Sequence, residues 1–292
     1  MRLLLLFLSM APVWAQAPIA KHVVVIGVDG LSPNGLRKAK VLNVDAMRAA
    51  GAWTYHARGV MPTVSAPNWA SMIMGAGPEQ HGITSNEWTL DQYDFPPTVK
   101  GPSGIFPTIF SLLRDQRKDA AIGVFHHWDE FSRLVEPGVP SVIEHYKTAQ
   151  ETMDHAVAYF KATKPTLLFI HLDLVDDAGH EYGHGTPQYT ASIEEADRLA
   201  GLLFQATKAA GIEKDTLVLL TADHGGVGKK HGGNTMAELE IPWIVQGPGV
   251  RRGHEITAPV NTFDTAATIA NVLGLKQPYA WIGRPVSEAF TR

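Results

Sequence analysis

Short runs of β-branched and aliphatic residues alternate with longer amphipathic stretches along this 292-residue chain. Several runs are apolar almost throughout, as is typical of strands buried on both faces of a parallel sheet. The predicted strands are His22 to Val28, Ala120 to Phe125, Thr166 to Leu172, Thr216 to Leu220 and Ile241 to Gln246. Strands that alternate with helices predict βαβ units. We therefore expect an α/β fold, a three-layer αβα sandwich around a mainly parallel central sheet.

The stretches between the strands have helical periodicity and recognisable ends. The predicted helices are Val44 to Ala50, Ser65 to Met74, Thr108 to Gln116, Ala149 to Lys161, Gln188 to Ala210 and Thr262 to Leu273. Gly51, Gly211 and Gly274 stand where three of them should end. The segment Asn86 to Gly104 is the least patterned, and its prolines, aspartates and aromatic residues indicate a loop at the rim of a site.

Residues 1–17 have the pattern of a secretory signal peptide: a charge at Arg2, an apolar run from Leu3 to Leu8, and small residues at Ala15 and Ala17. The alternative is an apolar helix that stays in the fold. Neither this run nor any later segment is long and apolar enough to cross a bilayer. We expect an exported protein, periplasmic or secreted, without stable membrane insertion, in which residues 18–292 form one domain.

The composition limits the kinds of metal site and ligand that this chain can have. The chain contains no cysteine, so disulfides and thiolate zinc sites are excluded, and any metal must be held by nitrogen and oxygen. Its formal net charge is -4, and its lysines and arginines are scattered, which argues against binding to polymeric nucleic acid. A small anionic substrate is compatible with this charge, because metal ions can supply positive charge that composition does not show.

Acidic and histidine residues collect just after the predicted strands. They are Asp29 after the first strand, Asp176 and His180 after the third, Asp223 and His224 after the fourth, and His231 soon afterwards. The carboxyl ends of strands in an open α/β sheet form the crevice where ligands bind, so these side chains should converge. Carboxylates and imidazoles together predict a metal site. Asp29 taken alone could equally cap a helix, and His22, His56 and His81 are better interpreted as structural.

A second pattern runs from Pro62 to Trp69 and leads into the predicted helix that begins at Ser65. Ser65 is a typical N-cap residue, with Pro67 tolerated in the first turn. The same placement suits a nucleophile, because free N–H groups and the positive dipole end of a helix stabilise a phosphoryl group. The chain has no Gly-x-Ser-x-Gly elbow here and no apparent His-Asp relay. Activation of Ser65 by a metal is therefore favoured.

Taken in order, these motifs resemble the type I phosphodiesterase and nucleotide pyrophosphatase family of the alkaline phosphatase superfamily. The similar segments are Ile26 to Gly30, Pro62 to Asn68, Gly75 to Pro78, His81 to Ile83, Asp176 to His180, Asp223 to Gly225, and His231-Gly232 followed by Ile241-Pro242 and Gly247-Pro248. The resemblance covers nearly the whole chain after residue 17. It implies an alkaline-phosphatase-like catalytic domain that hydrolyses phosphodiesters or nucleotide pyrophosphates through a phosphoserine on Ser65.

The resemblance also implies the roles of individual residues. One divalent metal ion would be held by Asp29, Ser65, Asp223 and His224, and a second by Asp176, His180 and His231. The expected ion is Zn²⁺, which suits mixed imidazole and carboxylate ligands, although the same ligands admit manganese or another divalent ion. The implied contacts to the phosphoryl oxygens come from Asn68 and the backbone N–H of Ala66.

The chain departs from the family pattern at three positions and leaves alternatives open. Diesterases of the family commonly have threonine at the position of Ser65, an aromatic residue at the position of Ala66 and histidine at the position of Trp69. A phosphomonoesterase is an alternative, with Lys229 and Lys230 as candidates for binding the extra charge. A sulfatase is less favoured, because Trp69 stands where its motif has arginine. A non-catalytic protein that binds metal or a phosphorylated ligand is the alternative of another class. The oligomeric state is left open, as is closure of Asn86 to Gly104 over the site.

Overall fold

The computed structural model describes residues 17–291. The predicted signal peptide therefore lies, except for Ala17, outside the described residues. The strands are β1 (His22–Val28), β2 (Ala52–Arg58), β3 (Ile122–His126), β4 (Val142–His145), β5 (Leu167–Leu172), β6 (Thr216–Thr221), β7 (Glu240–Gln246) and β8 (His254–Glu255). The α-helices are α1 (Pro33–Lys38), α2 (Leu42–Ala50), α3 (Ser65–Met74), α4 (Pro78–His81), α5 (Ile109–Gln116), α6 (Ala149–Thr163), α7 (Leu174–Tyr182), α8 (Pro187–Ala209), α9 (Met236–Leu239) and α10 (Asp264–Val272).

One mixed sheet holds the described strands in the order β4-β3-β5-β1-β6-β7-β2-β8. β1 lies between β5 and β6 and is parallel to both. β7 is the exception, because it runs antiparallel to β6 and β2. Around the sheet, α1, α2, α6 and α7 pack on α8, whereas α4, α5 and α10 pack on α3. The predicted α/β architecture with a mainly parallel sheet between helical layers is confirmed.

The centre of the sheet explains where the site forms. Val23, Val24, Val25 and Ile26 of β1 are fully buried, as expected for β-branched residues in a strand covered on both faces. β1 is in register with both neighbours, so the carboxyl ends of β1, β5 and β6 lie side by side. Residues that follow these strands are therefore brought to one edge of the sheet.

Several elements differ from the sequence prediction. β2, β4 and β8 were not predicted, because β2 has neither a continuous apolar run nor strict alternation, and β4 and β8 are short and partly exposed. Helix α7 was also missed, since Asp176, Asp177 and Gly179 all disfavour a helix interior. Segment 86–104 contains no helix or strand, as predicted.

Two of the predicted helix ends have a clear backbone cause. Gly211 and Gly274 both have φ of 67°, the left-handed conformation that glycine adopts without strain just after a helix. Among the described helices, none combines the length and apolarity that a membrane span requires.

Candidate active site

The first cluster of ligand-type side chains comprises Asp29, Asp223 and His224. Asp29 directly follows β1, and Asp223 and His224 follow the adjacent strand β6. Nε2 of His224 lies 3.3 Å from Asp29 Oδ1 and 3.2 Å from Asp223 Oδ2. The three side chains are at most 1% exposed, so the parallel pairing of β1 and β6 places a compact, buried group of atoms of the type that binds metals at the sheet edge.

The second cluster comprises Asp176, His180 and His231. Asp176 and His180 are one turn apart on α7, so they share a face of that helix. Asp176 Oδ2 lies 3.1 Å from His180 Nε2 and 3.7 Å from His231 Nε2. The rings of His224 and His231 stack with centroids 3.8 Å apart, so the two clusters are contiguous.

The tautomers of the ligand histidines fit metal binding. Nδ1 of each ring donates to a backbone carbonyl oxygen; the pairs are His224 with Gly225 at 2.8 Å, His180 with Lys229 at 3.0 Å and His231 with Thr63 at 2.9 Å. Nε2 is then the unprotonated nitrogen of each neutral ring, as in metal-ligating histidines. His180 Nε2 and His231 Nε2 are 3.0 Å apart. Lone pairs on these two nitrogens would repel each other at this distance. A proton or a divalent ion bound between them removes the repulsion.

The carboxylates give a second, independent fit. Asp29 Oδ1, Asp176 Oδ1 and Asp223 Oδ2 are buried and have no hydrogen-bond partner within the described residues. Burial of an unpaired carboxylate oxygen is costly, and buried charges are normally paired or bound to a metal. The residues present in both clusters therefore fit divalent metal ions.

The electrostatics of the two clusters differ. Burial, together with the neighbouring carboxylates, raises the pKa of Asp29 and of Asp223 well above the usual value. Burial also opposes ionisation of Asp176, but the hydrogen bond with His180 and the nearby imidazoles outweigh it and lower the pKa of Asp176 to about 2. The same hydrogen bond raises the pKa of His180 to about 9. Without a metal ion, a proton on His180 Nε2 thus makes an ion pair with Asp176 in the second cluster, whereas burial favours the neutral form of the carboxyl groups in the first.

Ser65 lies at the start of α3, next to the first cluster. Its Oγ is 3.3 Å from His224 Nε2, and the residue is 6% exposed. The predicted N-cap role of Ser65 is wrong. Val64 occupies that position with extended backbone, and Ser65 is already helical and makes no capping bond. The hydroxyl is consequently free to face the metal-ligand atoms.

Asn68 does not have the surroundings of a substrate contact. The residue is fully buried; its Nδ2 donates to the carbonyl oxygens of Val60, Pro62 and Val64, and its Oδ1 accepts from the N–H of Val60. These bonds turn the amide hydrogens of Asn68 toward carbonyl groups, which argues against the predicted contact of Asn68 with a phosphoryl oxygen. Its observed role is to fix the loop that precedes Ser65.

Asn86 was not identified from the sequence. Its Oδ1 accepts the N–H of Ala66 at 2.8 Å, so the N–H that was predicted to bind substrate is already occupied. This bond holds the Asn86 amide beside Ser65, and among the described residues its Nδ2 has no acceptor. No local spacing connects Asn86 to Ser65, since the contact spans 20 residues between α3 and an irregular segment.

His184 was also overlooked. Its Nδ1 donates to the carbonyl oxygen of Gly228 at 3.2 Å, and its Nε2 lies 4.0 Å from Asp176 Oδ1. A signal was present in the sequence, because His184 follows His180 at the four-residue interval that separates His180 from Asp176. Of the other histidines, His127 has both ring nitrogens in hydrogen bonds to backbone groups. His81 contacts Ser71 in the core, as expected for a structural residue.

Comparison with known proteins agrees with this arrangement. The family described as type I phosphodiesterase / nucleotide pyrophosphatase matches residues 23–240. Ectonucleotide pyrophosphatase/phosphodiesterase family member 1 of Mus musculus is 21% identical over 251 residues, which make up 80% of this chain and 28% of the mouse protein. This chain therefore spans less than a third of the length of that relative.

Solved structures show the same fold. Murine ectonucleotide pyrophosphatase / phosphodiesterase 5, an inactive variant in complex with AMP, aligns with a TM-score of 0.74 at 16% identity and covers 88% of this chain and 96% of its own. A mutant of the alkaline phosphatase PafA aligns with a TM-score of 0.77 at 13% identity, with 94% and 100% covered. The fold is alkaline-phosphatase-like. Because the family match extends over most of the chain and includes Ser65 and both clusters, this chain belongs to the type I phosphodiesterase / nucleotide pyrophosphatase family.

Proposed function

We propose that this protein hydrolyses phosphodiesters or nucleotide pyrophosphates in a metal-dependent reaction, with Ser65 as the nucleophile. One observation carries the proposal: Ser65 Oγ lies in the first turn of α3, 3.3 Å from His224 Nε2, beside two contiguous groups of metal-ligand atoms. Family membership supports the reaction class. The AMP bound to the murine relative supports a small nucleotide as substrate.

The residues that would hold the metal ions follow from the clusters. Asp29, Asp223 and His224, with Ser65, would hold one divalent ion, and Asp176, His180 and His231 would hold the second. We propose Zn²⁺ at both places, since three imidazoles and three carboxylates suit it. Bound ions would supply the positive charge that lowers the pKa of the Ser65 hydroxyl and stabilises the negative phosphoryl group.

The chain's own groups perform the remaining steps. Ser65 gives up its hydroxyl proton and its Oγ forms a bond to phosphorus as the bond to the leaving oxygen breaks. The products are an alcohol or phosphate that has taken up a proton and a phosphoserine that keeps the other ester group of the substrate. Water then attacks the same phosphorus, and the serine oxygen leaves as a hydroxyl. The N-terminal dipole of α3 favours negative charge beside Ser65, and the amide of Asn86 is placed to donate to a phosphoryl oxygen.

The charge of the site supports a diester over a monoester. With two divalent ions bound, the three ionised aspartates would leave one net positive charge, which matches the single negative charge of a phosphodiester. A monoester carries a second negative charge and needs further cationic groups. Lys229 and Lys230, the candidates for that role, are exposed on a turn that is closed by a bridge between Val227 and Lys230. In this turn the carbonyl oxygen of Lys229 accepts a hydrogen bond from His180 Nδ1.

We further propose that the protein is exported and that residues 18–292 form one catalytic domain. Export is supported by the signal-peptide pattern of residues 1–17 and by the relative named as an ectonucleotide enzyme. The single sheet that holds the described strands supports one domain.

The test compares initial rates of the zinc-loaded protein on bis-p-nitrophenyl phosphate, p-nitrophenyl phosphate and p-nitrophenyl sulfate. We expect the diester to be cleaved fastest, and Ser65→Ala to lose turnover while zinc analysis still finds the metal. A faster monoester rate would replace the proposal with a phosphomonoesterase, and a faster sulfate rate with a sulfatase. Absence of all three rates in folded, zinc-loaded protein would favour a binding protein. Full activity of Ser65→Ala would overturn the nucleophile.

A further inference from the structure

The two oxygens of Asp29 have different surroundings. Oδ1 lies 3.3 Å from His224 Nε2 and has no hydrogen-bond partner within the described residues. Oδ2 accepts a hydrogen bond from Trp69 Nε1 at 2.9 Å and lies 3.1 Å from His171 Nε2. Asp29, Trp69 and His171 are at most 1% exposed. One oxygen is therefore held by the protein, and the other is left for the first cluster.

The protonation of His171 follows from its other neighbour. Its Nδ1 faces the backbone N–H of Trp128 at 3.4 Å, so Nδ1 is the acceptor nitrogen. Nε2 then carries the hydrogen and donates it to Asp29 Oδ2. The indole of Trp69 can only donate. Both neighbours of Oδ2 are thus hydrogen-bond donors, and neither is itself a member of the first cluster.

The indole is held rigidly between the strand and the helix. Trp69 lies one turn after Ser65 on α3, so the residue that contacts Asp29 is on the helix that carries the nucleophile. Gly27 of β1 makes room for it, because a Cβ at position 27 would lie 2.5 Å from the ring. The ring also meets His171 edge-on, with centroids 4.8 Å apart.

We propose that Trp69 and His171 are positioning residues of the metal centre. Together they fix Asp29 Oδ2 and thereby direct Oδ1 toward the ion of the first cluster. Donors behind a ligating carboxylate orient it and reduce the ordering that metal binding requires. The inference rests on the proposed metal centre and gives a function to Trp69, where the family's diesterases commonly have histidine.

The experiment measures zinc affinity in the absence of substrate. Metal-free protein is titrated with zinc against a chromophoric chelator, for the wild type and for Trp69→Phe, which removes the N–H and keeps an aromatic ring. We expect one of the two zinc ions to bind about 10- to 100-fold more weakly in the variant. The matched control is Trp243→Phe, because Trp243 is equally buried but donates to Thr265 Oγ1 at 3.1 Å. It should bind both ions as the wild type does.

A second pair of variants decides the question if Trp69→Phe does not fold. His171→Leu removes the other donor, whereas His171→Gln keeps an N–H that can reach the carboxylate. We expect His171→Leu to lose zinc affinity and His171→Gln to retain most of it. Wild-type affinity for both ions in Trp69→Phe and His171→Leu would overturn the proposal, as would a wild type that binds no zinc. Zinc binding without diester cleavage would contradict the proposed function alone.

Discussion

Two asparagines near Ser65 have opposite relations to the site. Asn68 uses its whole amide on the backbone of the preceding loop and is fully buried. Asn86 is only half-buried, and its Oδ1 is held by the N–H of Ala66 while its Nδ2 has no acceptor within the described residues. The first amide serves the fold, and the second is available to a ligand.

We expect Asn86→Ala to lower kcat/KM for a phosphodiester by about 100- to 1,000-fold, because it removes a donor aimed at developing negative charge. Its free energy of unfolding should fall by only about 1 kcal/mol, because a single N–H, that of Ala66, loses its acceptor. Asn68→Ala should instead lower the free energy of unfolding by at least about 2 kcal/mol, since buried backbone groups lose their partners. Enzyme kinetics and urea denaturation of both variants check this. Equal losses of stability would contradict the division of roles.

At this scale the sequence was informative where chemistry and spacing coincide. The four-residue interval from Asp176 to His180 and the adjacent pair Asp223 and His224 could be predicted as ligands, and the structure brings them together. His171 and Asn86 could not be predicted, because each acts through a contact that depends on the tertiary fold, His171 to a residue 142 positions away. The full burial of Asn68 and its bonds to the backbone could not be predicted from its position in a motif.

Among the elements, α2 begins without a capping side chain of its own. Val41, at its N-cap position, has none to offer. Asp197 of α8 supplies it instead, with Oδ1 accepting the N–H of Val44 at 2.7 Å and Oδ2 accepting the N–H of Asn43 at 3.1 Å. The carboxylate is 6% exposed. The N-terminus of α2 is therefore capped by a side chain of another helix, α8.

We expect Asp197→Ala to reduce the free energy of unfolding by about 2–3 kcal/mol, the cost of a lost cap plus buried N–H groups without an acceptor. Asp197→Asn keeps one acceptor oxygen and should lose roughly half as much. Urea denaturation of the three proteins measures the difference. The result that would contradict the capping role is an Asp197→Ala protein as stable as the wild type.

Elements that are specified by their local sequence were predicted accurately, whereas elements that depend on tertiary contacts were not. β1 and α3 were predicted at their observed bounds, because their apolar residues and the residues at their ends indicate these bounds locally. α7 could not be predicted, because a helix containing Asp176, Asp177 and Gly179 is held by packing on α8 and not by propensity. β2 owes its place to pairing with β7, a partner that local patterning does not reveal.

For the whole molecule, the proposed metal centre joins segments from β1, α3, α7 and the chain after β6. Removal of the metal should therefore lower the unfolding temperature, and the loss should be greater at about pH 8 than at about pH 5.5. The raised pKa values of Asp29 and Asp223 mean that the metal-free fold loses stability as pH rises above the unfolded carboxyl values.

Deprotonation of His180 also makes the metal-free fold less stable as pH rises. With a folded pKa of about 9, its contribution is complete below the unfolded value of about 6.5 and is lost as pH rises toward 9. Asp176, with a pKa of about 2, contributes constantly above about pH 4. Calorimetry of zinc-loaded and chelator-treated protein measures the difference between their unfolding temperatures, the gap, at each of the two pH values. A gap that is equal or larger at the lower pH would contradict this account.

The central position of β1 also governs the order in which the chain can close. Of the described strands β1 is made first, yet within residues 17–291 it pairs only with β5 and β6. A ribosome that has delivered everything up to the end of α6 at Thr163 has produced β1 but neither of its neighbours. The apolar strand stays without both partners until Thr221, about three quarters of the way along the 292 residues. During synthesis β1 therefore stays incompletely paired while most of the chain is made, and in that interval its apolar residues are accessible to chaperones and proteases.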